Sequence, residues 1–342
     1  MTIVRCLPKS VRCASARAAV VAGNAVVALV AVCMFGAQPL PARAALGEQT
    51  VTLVLSSAPG GGIDRMARLL AQRLSQQLHR NVIIENRPGG RSRLAADHVS
   101  KAPADGNMLL ITTGTSTIDL AFDPRTRPNV MQDLVPVSLL AKCQIVLVVN
   151  PARQLTTVQA LAARARAAPG TLNSATSGVI STMRIVSELF RQRIGADIVQ
   201  IPYKAEVETS TAVVGDRVDM AFVTLPSVLP FVNSGQVRAL AIAGAQRSPM
   251  MPGVPTLTES GLPGIEATVW YGLFAPAGTP ADVVDALARS VEQASTFPGY
   301  RQGLAAMGME PAPIASAAFV AMLRDEVVKF RAVIETTNIR PE

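Results

Sequence analysis

The sequence predicts an α/β protein, and three observations carry that prediction. Short aliphatic runs of about five residues recur along the chain, and stretches with helical apolar periodicity separate them. Turn-forming Gly, Pro, Asn and Asp residues stand at the changes of period. Hydrophobic residues make up 49% of the 342 positions while aromatics make up 4%, so the core must be aliphatic. Strands buried on both faces read as continuous aliphatic runs, and helices between them serve as parallel crossovers. The length suggests two domains or more.

Taken in order, residues 51–55 form the first strand, stopped by Ser56-Ser57-Ala58-Pro59-Gly60. A helix is expected over 63–78, because apolar residues at 63, 66, 67, 70, 71, 74 and 78 share one face. Residues 81–85 read as a strand ended by Asn86-Arg87-Pro88-Gly89-Gly90, 94–101 as a helix, and 108–112 as a strand entered through Asp105-Gly106. Strands follow at 145–149, 172–175, 198–202, 218–222 and 237–243. Helices are expected at 158–167, 182–194, 206–214, 281–294, 300–307 and 316–335. No internal repeat is visible.

The first 44 residues read differently. Arg5, Lys9, Arg12, Arg17 and Arg43 are unaccompanied by any acid, residues 18–37 are apolar apart from Asn24 and two glycines, and Pro39 and Pro41 break the segment. Ala42-Arg43-Ala44 then supplies the small-x-small pattern of a signal-peptidase site, which predicts export with cleavage after Ala44. The competing reading is a retained membrane anchor. Val32 before Cys33 argues against lipidation. Cys6, Cys13 and Cys33 lie in this leader, so the mature chain keeps only Cys143 and forms no internal disulfide. The net charge of +8 owes most of its size to the leader: 32 minus 5 leaves 27 basic against 24 acidic residues, about +3. Without a basic run interleaved with aromatics, nucleic-acid binding loses its support.

Several chemistries lack their residues. His79 and His98 are the two histidines and have no metal-ligand spacing with Cys143 or each other, so no metal is expected. There is no dinucleotide fingerprint, no phosphate-binding P-loop and no nucleophile elbow, so no cofactor is expected and no enzyme is read. His79 reads as a helix-end residue and His98 as a mid-helix residue beside Asp97. Asp325-Glu326 reads as the solvated face of an amphipathic helix.

What remains is a set of small-residue loops after strands. Residues 56–62, Ser-Ser-Ala-Pro-Gly-Gly-Gly, lead into the first helix, where close backbone approach and unpaired N–H groups suit an anion. A plain tight turn explains the same residues. Residues 112–117 and 174–182 are further hydroxyl- and glycine-rich loops at carboxyl ends of strands, where α/β sheets bind ligands. Each alone is explicable as helix capping; their recurrence points to a small oxyanion held by neutral donors.

At these loops the chain resembles the tripartite tricarboxylate transporter receptors, also called Bug receptors. The resemblance starts with Ala58-Pro59-Gly60-Gly61-Gly62-Ile63-Asp64 and Val82-Ile83-Ile84-Glu85-Asn86-Arg87-Pro88-Gly89. It continues through Val135-Pro136-Val137-Ser138-Leu139, Ile201-Pro202-Tyr203-Lys204, Leu225-Pro226-Ser227 and Val237-Arg238-Ala239-Leu240-Ala241. Val254-Pro255-Thr256, Glu259-Ser260-Gly261-Leu262-Pro263-Gly264 and the run Trp270-Tyr271-Gly272-Leu273-Phe274-Ala275-Pro276-Ala277-Gly278-Thr279-Pro280 complete it across the mature chain.

The resemblance implies a type II periplasmic binding protein fold, with two lobes, a hinge and a ligand cleft. Residues 1–44 are the signal peptide, 45–143 with 268–342 the discontinuous first lobe, and 144–267 the second. The crossings are expected near Cys143 and Trp270. Ligand contacts are implied at Ser57, Pro59, Gly60, Gly61 and Gly62; at Gly114, Thr115 and Ser116; at Gly178, Ser181 and Thr182; and at Tyr203 and Lys204. The chain departs from the family's usual residues at Ser57, Ile63, Val179-Ile180, Arg184, Ala205, Val223 and Thr224. Loss of an acid at 223 argues against a ligand amino group, and Arg184 either offsets ligand charge or is a solvated helix residue. The implied function is a monomeric periplasmic receptor for a small carboxylate ligand. Its partners are integral-membrane transporter subunits or, alternatively, a sensor domain; an enzyme on the same fold is the remaining alternative.

Overall fold

The computed structural model describes residues 49–178, 180–337 and 339, so the leader and its cleavage site lie outside the described residues. The body from Ala45 to Glu342 is a single unit. Among the described residues there are ten strands: β1 (Val51–Leu55), β2 (Val82–Asn86), β3 (Met108–Thr113), β4 (Leu134–Val149), β5 (Asn173–Ser177), β6 (Val199–Tyr203), β7 (Met220–Thr224), β8 (Arg238–Ile242), β9 (Thr268–Pro276) and β10 (Met309–Pro311). The helices are α1 (Gly62–Leu78), α2 (Arg93–Ser100), α3 (Thr115–Phe122), α4 (Val158–Ala167), α5 (Thr182–Ile194), α6 (Glu206–Val214), α7 (Leu225–Asn233), α8 (Ala281–Thr296), α9 (Pro298–Ala306) and α10 (Ser316–Thr337).

The strands hydrogen-bond in the order β2-β1-β3-β9-β4-β7-β5-β6, with β10 and β8 added along β4. β4 is the strand common to two halves. Its residues 134–144 run antiparallel to β9, ending at the pair Gln144↔Thr268, while β10 pairs its residues 141–143. From Ile145 onward the same strand pairs β7 and β8 instead. In the first half β1 is parallel to β2 and β3; in the second, β5 is parallel to β6 and β7.

This topology brings strand ends together. Ile145 pairs with Thr224, so β7 and its parallel neighbours β5 and β6 present their carboxyl ends to the junction near residue 144. Thr113 of β3 pairs with Tyr271, three residues from the junction end of β9, so β3 and β1 end there too. The helices that follow, α1, α3, α5, α6 and α7, therefore begin at the junction of the two halves. Carboxyl ends of strands are where α/β sheets hold ligands.

The core is aliphatic, as the composition requires. One cluster runs from Leu53, Met66 and Leu70 in the first half to Phe190, Phe222 and Met220 in the second. Phe190 meets Phe222 edge-on at 5.5 Å in this cluster, and Trp270, Phe274 and Phe319 form a trio in a separate one, with centroids 5.3–6.4 Å apart.

The strands expected from periodicity do not include β9 and β10, and three further elements differ from the sequence expectation. β4 begins at Leu134, eleven residues before the expected strand at 145, and tolerates Pro136 where its register against β9 shifts. Thr115 and Ser116 stand in the first turn of α3 rather than in a loop. α7 is absent from the helices expected from sequence; Pro226 occupies its first turn, where a missing N–H costs nothing.

Candidate functional site

The loop between β1 and α1 is organised by a buried carboxylate. Asp64, 3% exposed, accepts from Gly60 N at 3.0 Å, from Arg68 Nε and Nη2 at 2.9 and 3.0 Å, and from Asn86 Nδ2 at 3.1 Å. The Arg68 hydrogen bonds above all, with those from Gly60 and Asn86, hold this carboxyl below its ordinary range against the opposing effect of burial. Gly60 takes φ +83°, a conformation glycine adopts freely, and its amide is already satisfied by Asp64. The expectation that the whole glycine run offers free amides is therefore corrected at Gly60. Gly61 precedes α1 in extended conformation with no side chain capping the helix, and Gly62 is the first helical residue. A Cβ on Gly61 would meet only Ala58 O, at 3.8 Å, so this backbone faces open space. Pro59 is exposed, and Ser57 Oγ is buried without a hydrogen-bond partner.

A chain of hydroxyls links this loop to the next. Ser56 Oγ lies 3.2 Å from Thr112 Oγ1, which lies 3.4 Å from Ser116 Oγ. Thr115 Oγ1 is 3.4 Å from Thr113 Oγ1. Gly114, the residue before α3, is packed from both halves: a Cβ there would lie 3.3 Å from Trp270 Nε1 of its own half and 3.6 Å from Thr182 Oγ1 of the second. Loops after β3 and β5 thus meet across the junction.

In the second half, Ser181 caps α5 by accepting from Arg184 N at 3.1 Å. Its lone pair serves the helix, leaving the hydroxyl proton for other partners. Thr182 is 7% exposed and begins the helix. Gly178, at φ +80°, donates its N–H to Tyr203 O at 2.8 Å, and Ser177 Oγ is buried without a partner. Lys204 is exposed, with its backbone N–H donating to Glu208 at 3.1 Å. The Lys204 N–H therefore serves the turn between β6 and α6, while the Tyr203 carbonyl holds the loop after β5. Arg184 is ion-paired with the buried Glu188 at 2.8 Å, so the expectation of a solvated side chain does not hold.

Sequence reasoning missed three groups at the floor of the junction. Trp270 Nε1 donates to Glu326 at 2.8 Å, and Thr117 Oγ1 approaches the same carboxylate at 2.6 Å and Gly114 O at 2.7 Å. Burial raises the Glu326 carboxyl above its ordinary range, with the Thr117 and Trp270 contacts pulling the other way. The solvated face expected of Asp325-Glu326 holds for the exposed Asp325 and fails for Glu326. Tyr271, 4% exposed, places its OH 3.4 Å from Cys143 Sγ, and burial raises both groups. Glu206, at the start of α6, accepts from Thr224 N and from Ser227 Oγ at 3.1 Å, so a carboxylate stands beside the Thr224 position although Val223 is apolar. Among the described residues no group of three or more His, Cys, Asp or Glu side chains is arranged to hold a metal ion.

A junction lined by helix starts, hydroxyls and glycines can bind an anion without a dedicated charge. The model of the tripartite tricarboxylate transporter family receptor matches residues 66–339. The chain belongs to this family. It is 33% identical over 295 residues to protein BugT of Bordetella pertussis, a match covering 85% of this chain and 90% of that one. The structure of an R. palustris protein with adipate aligns with a TM-score of 0.80 at 31% identity, covering 86% of this chain and 99% of that chain. MatC from Rhodopseudomonas palustris, with bound malate, aligns at 0.76 and 29% identity, covering 84% and 99%. The receptor thus has the periplasmic binding protein fold, and its family is one of periplasmic solute-binding proteins rather than enzymes.

Proposed function

We propose that this receptor captures a small organic carboxylate between residues 45–143 with 268–342 on one side and 144–267 on the other, and delivers it to the membrane subunits of a tripartite transporter. The observation that carries this reading is the meeting of Gly114 with Thr182 across the junction, with the open Gly61 backbone at the start of α1 beside it. A carboxylate at Gly61 gains hydrogen bonds from the first turn of α1 and about 0.3–2 kcal/mol from the helix dipole. Thr115, Ser116, Ser181 and Thr182 supply neutral donors around the remainder. The relatives' adipate and malate supply the ligand class. Export through cleavage after Ala44 belongs to the same reading.

Calorimetry with adipate and malate tests it, using Gly61→Val as the probe. The φ of −72° and ψ of 175° at Gly61 suit valine, and its Cβ meets nothing closer than 3.8 Å, so the fold is retained. At least one of the two acids is expected to bind the wild-type protein, and Gly61→Val is expected to weaken that binding at least tenfold with unchanged circular dichroism. Binding within twofold of wild type would remove Gly61 from the site.

A further inference from the structure

A cavity of about 570 Å³ lies at the strand junction and is lined by residues other than those of the candidate site. Its floor is the hinge pair Gln144 and Thr268, which are register partners on β4 and β9. One wall comes from the first half, through Arg301 and Ala305 of α9 and Met309 of β10; the other is the loop 244–250 that follows β8 in the second half. Gln144 Nε2 donates to Gln246 O at 3.0 Å, tying floor to wall.

We propose that this cavity is a second binding site, for an amphipathic monocarboxylate. Its volume falls within the range of small-molecule sites, roughly 300–1,000 Å³. Met250 and Met309 line it, and flexible thioether side chains adapt to an alkyl chain. The charges define the polar end. Arg247 is held by Glu259 at 2.8 Å, and Glu310 is the direct cross-strand partner of Lys142. Arg301 is exposed and has no ion-pair partner among the described residues, which leaves one cation on the cavity wall for a carboxylate. A guanidinium binds a carboxylate through two parallel hydrogen bonds.

The site is mechanically joined to the cleft. Met309 Cε stands 3.1 Å from where a Cβ on Gly62 would be, so the residue lining the cavity also supports the start of α1. Gly308 touches the second half as well: a Cβ there would overlap Leu225, the first residue of α7, at 2.8 Å. A molecule that displaces Met309 therefore acts on the backbone beside Gly61.

Decanoate is the probe, titrated by calorimetry into the intact mature receptor below its micelle concentration. Wild-type protein is expected to bind it at one site, and Gly61→Val is expected to bind it equally well. Ala305→Trp, which fills the cavity from an exposed helical position, is expected to abolish binding. Arg301→Gln, an exposed substitution that leaves the fold intact, is expected to weaken it at least tenfold. Absence of decanoate binding to the wild type overturns the proposal. So does wild-type affinity in both Ala305→Trp and Arg301→Gln, or loss of binding in Gly61→Val with retention in Ala305→Trp.

Discussion

Glu326 illustrates how much of the junction depends on single side chains. Thr117 has one hydroxyl proton and two acceptors, Gly114 O at 2.7 Å and Glu326 Oε2 at 2.6 Å. Burial raises this carboxyl above its ordinary range, with the Thr117 and Trp270 hydrogen bonds opposing the rise. An acid whose native-state value is raised binds protons more tightly when folded. Its contribution to stability therefore falls as pH rises from the unfolded value, about 4.3, and levels off above the native value. Glutamine offers an acceptor to Trp270 and a donor to Thr117 without titrating. Glu326→Gln is thus expected to match wild type near pH 4 and to gain on it as pH rises, in urea melts across a pH series. Glu326→Ala leaves Trp270 Nε1 without its acceptor and is expected to cost about 1–3 kcal/mol near pH 4, a cost that shrinks as pH rises because alanine does not titrate. This cluster is not legible in the sequence, because Thr117, Trp270 and Glu326 are distant in the chain and Asp325 beside Glu326 is exposed. The glycine and hydroxyl loops were legible for the opposite reason: each is local and follows directly on its strand.

Among the elements, β9 and α10 meet at a position only glycine fits. A Cβ on Gly272 of β9 would overlap the ring of Phe319 on α10, with Cε1 at 2.9 Å, and would stand 3.0 Å from Phe274. Both rings are fully buried, so neither can turn aside. Gly272→Ala is expected to destabilise the protein by about 1–3 kcal/mol, read as a lower urea midpoint with an unchanged slope. The helices expected at 158–167, 182–194 and 206–214 are observed with those limits as α4, α5 and α6. Sequence periodicity missed α3, where Thr115-Ser116-Thr117 reads as a loop, and α7, which carries two prolines. It recovered only the last five residues of β4, since Pro136, Ser138 and Lys142 interrupt the aliphatic run that marks a buried strand.

At the level of the whole molecule, β4 has a thermodynamic consequence. Its 16 residues belong to both halves of the sheet, and one aliphatic cluster runs from Leu53 and Met66 through Leu147 to Phe190 and Phe222. Melting either half alone would strip one end of this strand of its partners and expose part of the shared cluster. The two halves are therefore expected to unfold together, as one calorimetric endotherm whose van't Hoff and measured enthalpies agree. Amide exchange should report the same coupling: the β4 amides that bond within the sheet open only with the entire chain, and share the protection of the strands flanking them on either side. Any motion between the halves is then expected to be bending within an intact strand, since β4 is hydrogen-bonded on both sides of residue 144.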